Sequence, residues 1–334
     1  MMDGKKAIFI ILYVLSLLLV FFIIFEVGLR LTDSPTRLFY GNTTVEPGGT
    51  FLQPDPVLGF SLKPGDYTIS YKTNYSYALS ISSDGRRVTG RQGSGNDASL
   101  GKKLWVFGCS FTFGQSVNDD ETYPWLLNSR LKGWDVINFG VPAYGTLQSL
   151  IQLENELGSG AMPDAVILTY ASFHDARNVY SRAYSDHIMI SDDEVPIPSY
   201  DLNDSWVRVA FKELFYSRLH FLKDLRVVRF IGGNQIFEKH VLGSQDATKQ
   251  IIRDFNERCI KENITLVFIG VDDNHRTKDM LAYTSSLGIM SADISHRFGD
   301  YTYINFPHDP HPNQAAHADF ADKIMTILEA NDIA

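Results

Sequence analysis

The chain begins with a long apolar run. Residues 7–25 contain no charge and are preceded by two lysines. As a helix, these nineteen residues span about 28 Å, close to the hydrocarbon thickness of a bilayer. No small-residue cleavage site follows, which favours an uncleaved anchor over a signal peptide. We therefore predict a transmembrane helix over residues 7–29, with residues 1–6 in the cytoplasm and the rest of the chain outside it.

Two further patterns follow the anchor. Residues 30–100 are polar, with short stretches of alternation between turn signals, and predict a membrane-proximal, β-rich lead-in. Residues 101–334 alternate short apolar runs with helical patterns, which predicts a parallel sheet covered by helices on both faces. The five predicted strands are residues 104–107, 136–139, 165–170, 264–271 and 301–306. Helices are predicted between residues 121 and 133 and over residues 147–157, 246–263 and 313–330.

A long insertion interrupts this alternation at about residues 176–245. Within it, residues 206–231 have the pattern of one or two amphipathic helices. Residues 205–240 contain seven Lys or Arg against three Asp or Glu, a local basic bias in an acidic chain. Two interpretations remain open: a lid that packs on the domain, or a face that contacts the membrane surface or an anionic substrate.

Charge and cysteine content exclude several classes of protein. The formal net charge is −9 and no basic face is evident, which argues against nucleic-acid binding. Cys109 and Cys259 are the two cysteines, too few for a disulfide framework, and we expect two small buried residues. No cofactor is expected, and the sequence does not indicate an oligomeric state.

Three residue types at the two ends of the predicted domain suggest acyl-transfer chemistry. Ser110 follows the first predicted strand, and Asp309 and His311 lie about two hundred residues later. A serine hydroxyl is a poor nucleophile unless an imidazole takes its proton and a carboxylate fixes the imidazole tautomer. His308 and His317 also lie in this region, but no helical His-x-x-x-His spacing supports a metal site.

These blocks together resemble the SGNH (GDSL-like) hydrolase superfamily over residues 102–330. Gly108-Cys109-Ser110 stands where the family has Gly-Asp-Ser, and Asp309-Pro310-His311-Pro312-Asn313 resembles its last block. The resemblance implies a flavodoxin-like, three-layer α/β/α fold. It also implies Ser110 as nucleophile, His311 as general base and Asp309 as the acid that orients it.

The family resemblance also implies an oxyanion hole. The segment 138–146 resembles the block that donates a backbone N–H, and by register that position is Ala143, beside the Ser110 amide. Gly140 and Gly145 remain alternative donors.

A third block departs from the family pattern. The usual Gly-x-Asn-Asp is here Ser172-Phe173-His174-Asp175, so His174 replaces the usual Asn donor. Arg177 and Asn178 follow, and we expect them to bind substrate or to reach the oxyanion in place of His174.

The resemblance leads to a functional hypothesis: an extracytoplasmic serine esterase, with no metal, acting on O-acetyl or other short acyl esters of a glycan. A small acyl ester is the simpler form of the same substrate. A polysaccharide O-acetyltransferase on the same scaffold is the nearest alternative, and a lipid ester is a further substrate. The rival from another class is a catalytically weakened SGNH-fold binding protein, because His174 replaces a catalytic donor.

Overall fold

The computed structural model describes residues 4–31, 43–90, 101–181, 184, 196–201, 205–210, 227, 243–297 and 300–333. Its first element is helix α1, Gly4–Leu31, whose apolar side chains are mostly exposed. Residues 8–31 are long and apolar enough to cross a membrane. A signal sequence near the N-terminus has the same length and apolar composition.

The described part of the lead-in contains five short strands. Strands β1 (Thr43–Glu46), β4 (Gly65–Tyr71) and β5 (Tyr75–Ile81) form an antiparallel sheet, and β2 (Leu52–Asp55) pairs with β3 (Gly59–Leu62). Alternate residues of β4 and β5 are buried, which is the period-two pattern of a sheet with one covered face. That face shares a hydrophobic core with residues of the following domain, including Phe113, Val141 and Tyr144.

The following domain is built on a five-stranded parallel sheet. Its strands are β6 (Lys102–Phe107), β7 (Trp134–Asn138), β8 (Ala165–Tyr170), β11 (Thr265–Gly270) and β12 (Met290–Asp293). Their order across the sheet is β12-β11-β8-β6-β7, with every neighbouring pair parallel. Counted along the chain this is the flavodoxin-like order 2-1-3-4-5, so the predicted fold class is confirmed.

Helices cover both faces of this sheet. The helices are α2 (Ser110–Phe113), α3 (Tyr123–Arg130), α4 (Thr146–Gly158), α5 (His174–Asn178), α6 (Ser244–Lys261), α7 (His275–Ser286) and α8 (Gln314–Ala330). Trp105 and Phe107 of β6 face a core shared with α4, α6 and α7, while Leu104 and Val106 face one shared with α3 and α8. The alternation of strand side chains between two cores gives the three-layer architecture implied by the resemblance to SGNH hydrolases.

One predicted strand is wrong. Residues 301–306 form a 3-10 turn, Tyr301–Tyr303, followed by an isolated bridge at Ile304. The Asp300 side chain accepts a hydrogen bond from the Thr302 N–H (3.0 Å), which favours the turn over an extended strand. The fifth strand is Met290–Asp293, whose four residues are too few and too exposed to give an apolar run.

The helical prediction for residues 206–231 of the insertion is wrong for residues 206–210, which form a strand, whereas Val227 is helical. Strand β9 (Pro196–Asp201) pairs antiparallel with β10 (Ser205–Ala210), because β-branched and aromatic residues suit a hairpin. Residues 211–226 and 228–231 lie outside the described residues. The Val227 N–H donates to the Glu26 carboxylate near the end of α1 (2.8 Å), so the insertion contacts the N-terminal helix.

Candidate active site

Ser110 lies at the carboxyl edge of the sheet, where open α/β folds bind ligands. It is the first residue of α2, which follows β6 and ends at Gly114 with a φ of +85°. The turn into α2 is tightly packed: a Cβ on Gly108 would lie 2.0 Å from the Thr169 hydroxyl oxygen. Only a glycine fits at this position, and the close approach fixes where the Ser110 side chain stands.

The structure brings Ser110, His311 and Asp309 together in one chain of hydrogen bonds. The distance between Ser110 Oγ and His311 Nε2 is 3.0 Å, and His311 Nδ1 is hydrogen-bonded to Asp309 Oδ1. The His311 main-chain N–H also donates to Asp309 Oδ1 (2.7 Å). All three residues are buried, with Ser110 4% exposed. This is the geometry that an activated serine requires.

The charge state of Asp309 follows from its surroundings. Burial acts to raise the pKa of Asp309, but the neighbouring His311 and the hydrogen bonds from His311 and Tyr71 outweigh it and lower the pKa to about 2. The carboxylate therefore accepts hydrogen bonds only, so His311 Nδ1 must carry a proton. In the neutral ring, Nε2 is then free to accept the Ser110 hydroxyl proton.

The N–H group of Ala143 differs from those of Gly140 and Gly145, the other two candidate oxyanion donors, because those two are already hydrogen-bonded. The Gly140 N–H donates to Asn138 Oδ1 (2.9 Å), and the Gly145 N–H donates to Gln148 Oε1 (3.0 Å). Ala143 has a φ of +68° in a turn closed by a hydrogen bond from the Tyr144 N–H to the Val141 carbonyl (3.2 Å). Within the described ranges its N–H has no acceptor, and its role as an oxyanion donor stays a prediction.

His174 is completely buried. Its ring packs edge-to-face against Tyr170 and Phe173, and Nδ1 lies 3.4 Å from the Thr146 hydroxyl oxygen. Burial, and then the charge of Arg177, keep the pKa of His174 well below its usual range, so the ring is neutral. Nε2 has no hydrogen-bond partner in the part of the chain that the structure describes. Its role as an oxyanion donor stays a prediction.

The two predicted substrate-binding residues, Arg177 and Asn178, differ in burial and in their hydrogen bonds. Arg177 is half-buried, donates to the Tyr144 carbonyl (2.8 Å) and lies over the Phe173 ring at 4.4 Å. Asn178 is fully buried, accepts from the Leu147 N–H (3.0 Å) and donates to Thr248 (2.8 Å). The Asn178 amide therefore joins α4, α5 and α6, whereas Arg177 keeps part of its surface open to solvent.

Three residues at the site were missed from the sequence: Tyr71, Arg87 and Ser116. The Tyr71 hydroxyl donates to Asp309 Oδ2 (2.7 Å) and lies 2.7 Å from Ser116 Oγ. Arg87 is buried and donates to backbone carbonyls of the segment that follows Ser110. Two of the three belong to the lead-in, and no local signal in the sequence connects them with residues 110 or 309.

The remaining histidines and the cysteines have structural surroundings. His317 accepts from the Tyr123 N–H (3.2 Å), and burial, with Arg87 and His311 nearby, lowers its pKa to about 3. His308 stacks on Tyr75. The described residues include no group of three or more potential metal ligands. Both cysteines are buried and unpaired, as expected, and burial raises the pKa of Cys259 to about 12.

Comparison with solved structures gives G-D-S-L family proteins. Lipolytic proteins of this family from Desulfitobacterium hafniense and Veillonella parvula are each 12% identical to the chain. The matches cover 68% of this chain and 99% and 98% of theirs, with TM-scores of 0.42 and 0.40. A third match is a carbohydrate esterase whose active site displays divergent catalytic and non-catalytic binding functions. It is 9% identical over 79% of this chain and 80% of its own, with a TM-score of 0.37. No family model and no curated protein matches the chain. At these identities and TM-scores, no residue role or substrate transfers from these proteins.

Proposed function

We propose that the protein is a serine esterase of the SGNH type. The observation that supports this most directly is the hydrogen-bonded chain from Ser110 Oγ through His311 to Asp309, with 3.0 Å between Ser110 Oγ and His311 Nε2. The three residues come from two segments about two hundred positions apart, yet they meet at the carboxyl edge of the sheet. A structural role alone does not require a buried serine, imidazole and carboxylate in this order.

In the proposed reaction, His311 Nε2 takes the Ser110 proton as Oγ attacks the ester carbonyl carbon. The tetrahedral intermediate collapses, the C–O bond to the alcohol breaks, and His311 returns the proton to the leaving alkoxide. Water then attacks the acyl carbon, again with His311 as base. The bond between that carbon and Ser110 Oγ breaks, His311 returns the proton to Oγ, and the carboxylic acid is released. Asp309 remains ionised throughout, which its low pKa favours.

The proposed oxyanion hole consists of the Ser110 and Ala143 amides and His174. Phe111 and Phe173 are half-buried and lie edge-to-face at 5.9 Å, with Phe111 also 5.9 Å from the His311 ring. This apolar wall next to the nucleophile suits a short acyl group better than a charged one. Arg177 lies over Phe173, and its proposed role is to contact a polar part of the substrate.

The membrane topology is also part of the proposal. Helix α1 exposes its apolar side chains over its length, as a membrane anchor would require. With the lysines at its N-terminal end in the cytoplasm, the site would face the periplasm or the cell exterior. The proposed organisation is an anchor over residues 7–29, a lead-in over 30–100 and a catalytic domain over 101–334.

A glycan ester is the proposed substrate, and an exposed aromatic pair supports it. Tyr301 and Phe306 are 63% and 55% exposed, and their ring centroids are 4.4 Å apart. Outside α1, they are the only large aromatic side chains with this exposure among the side chains that the structure describes. Both precede Asp309 and His311 in the same loop. Sugar rings present apolar C–H faces that stack on exposed aromatic rings, so the proposed role of the pair is to bind a pyranose of the glycan.

Replacing both aromatic residues tests the substrate. We expect the Tyr301→Ala/Phe306→Ala variant of the full chain in detergent to raise KM for acetate release from an acetylated glycan roughly tenfold. Hydrolysis of a small aryl acetate should stay within about twofold, because the pair contacts the sugar and not the acyl group. Met162→Ala, which removes an exposed apolar side chain elsewhere, is the matched control. Equal losses of activity on the glycan and on the aryl acetate would contradict the glycan-stacking role. Transfer of the acetyl group to an added oligosaccharide would instead favour the O-acetyltransferase alternative.

Substitutions of His174 test the oxyanion hole and separate the enzyme from a binding module. If its ring N–H stabilises the oxyanion, His174→Ala should lower kcat/KM about a hundredfold, while His174→Asn should stay close to wild type because an amide N–H replaces it. Rates on a short acyl ester, with thermal melting to check the fold, decide this. Unchanged catalysis in a folded His174→Ala variant would remove His174 from the hole.

A further inference from the structure

The lead-in and the active site meet at Tyr71. This residue ends strand β4 and is 6% exposed, with its hydroxyl 2.7 Å from Asp309 Oδ2. The two oxygens of Asp309 have separate partners. Oδ1 accepts from the ring and main-chain N–H groups of His311, and Oδ2 accepts from Tyr71. Rotation of the carboxylate would break both sets of hydrogen bonds, so Tyr71 opposes it.

The direction of each hydrogen bond follows from charge. Asp309 is ionised near neutral pH, since its pKa is about 2, and its carboxylate can only accept. Burial, then Tyr77 and Asp309, raise the pKa of Tyr71 well above its usual value, so the phenol keeps its proton and donates it to Asp309. Ser116 lies 2.7 Å from the Tyr71 oxygen and must therefore be the donor in that pair.

Ser116 is itself held in position. It has a φ of +70°, and its carbonyl accepts from the Tyr75 hydroxyl (2.5 Å) and from Asn305 Nδ2 (2.8 Å). Asn305 also connects to the catalytic loop, because its N–H donates to the His311 carbonyl (3.0 Å). The network thus joins three segments: the β4–β5 hairpin, the residues after α2, and the loop that contains Asp309 and His311.

We propose that Tyr71 is a positioning residue, supplied by the lead-in, that fixes the Asp309 carboxylate for His311, and this rests on the proposed function. The lead-in would then be part of the active site and not only a spacer from the membrane. Tyr71 contacts no reacting atom, so its effect on turnover passes through Asp309 alone.

A double-mutant cycle on the full chain in detergent tests this dependence. We expect Tyr71→Phe to lower kcat on a short acyl ester about tenfold to a hundredfold, the range for a lost hydrogen bond to a charged group, with KM within about twofold. In an Asp309→Asn background, the same substitution should cause little further loss, because the group it positions is already absent. Tyr67→Phe is the matched control: Tyr67 is on the same strand, equally buried, and donates to the Lys63 carbonyl (3.1 Å). Wild-type kcat for Tyr71→Phe, or a loss that adds fully to that of Asp309→Asn, would overturn the proposal.

Two further measurements cover other failures. Should Tyr71→Phe not fold, Ser116→Ala removes the donor to Tyr71 and should lower kcat several-fold. If the wild type shows no Ser110-dependent hydrolysis, the proposed function fails, and proton NMR still decides the positioning role. The His311 Nδ1 proton bound to Asp309 should give a downfield resonance that shifts or broadens in Tyr71→Phe and is unchanged in Tyr67→Phe. An identical resonance in all three proteins would refute the positioning role.

Discussion

Replacing Ser110 by alanine should lower kcat on a short acyl ester by on the order of 10³-fold to 10⁶-fold. The reason is the loss of the proposed nucleophile, the hydroxyl that is hydrogen-bonded to His311 Nε2 at 3.0 Å. His311 and Asp309 keep their own hydrogen bonds in the variant, so the fold should survive. Initial rates for purified full chains, with thermal melting of each protein, give the measurement.

Ser149→Ala is the matched control for this experiment. Ser149 is also buried, and among the described residues its hydroxyl donates only to the carbonyl of Gly145 (3.4 Å), the residue before α4. Its removal should therefore leave kcat within about twofold. His311→Ala should cost about as much as Ser110→Ala, and the double variant little more, because the residues act as a unit. Equal rates for Ser110→Ala and wild type, or labelling of Cys109 by a serine-directed phosphonate, would defeat the esterase proposal.

The parts of the fold that were predictable have local causes. Strands β6, β8 and β11 are buried on both faces, so each gives a continuous apolar run that stands out from the helical patterns around it. Helix α8 begins where Asn313 caps it, with the side chain accepting from the Ala316 N–H (3.1 Å), and this signal is readable from residue type. Ser110, Asp309 and His311 were recognisable because their types and their order along the chain resemble a family pattern.

What could not be predicted depends on contacts between distant segments. Strand β12 is held by its pairing with β11 and not by its own four residues. The contact from Tyr71 to Asp309 joins positions 238 residues apart, and nothing in the sequence around Tyr71 indicates it. Arg87 is similar: a single arginine in a polar segment is usually solvated, and only the packed structure makes it a buried donor.

Arg87 is the residue whose loss we expect to destabilise the protein most. Arg87 is 1% exposed, and its guanidinium forms an ion pair with Asp119 (2.8 Å). It also donates to the carbonyls of Phe113 (3.0 Å), Gly114 and Val117 (2.7 Å). Phe113 and Gly114 lie at the end of α2, the helix that begins at Ser110, and Val117 lies in the segment that follows it. Arg87, a side chain of the lead-in, therefore satisfies backbone carbonyls in the segment that follows Ser110.

Arg87→Met should lower the free energy of unfolding by about 3–5 kcal/mol, because it leaves a partly buried carboxylate and several buried carbonyls without their donor. Arg87→Lys should recover only part of this, since an ammonium group cannot reproduce the planar fork of five N–H donors. The measurement is urea unfolding of the full chain in detergent, followed by tryptophan fluorescence.

Arg86→Met is the control, because it tests the neighbouring arginine with the same substitution. Arg86 pairs with Asp84 and Glu156, each at 2.7 Å, but its side chain is 20% exposed, so its loss should cost at most about 1 kcal/mol. A similar loss of stability for the two variants would show that the buried hydrogen bonds of Arg87 contribute no more than an exposed ion pair does. If Arg87 of the lead-in holds the segment that follows Ser110, Arg87→Met should lower the free energy of unfolding much more than Arg86→Met does. The Arg87→Met molecules that stay folded should then have a lower kcat.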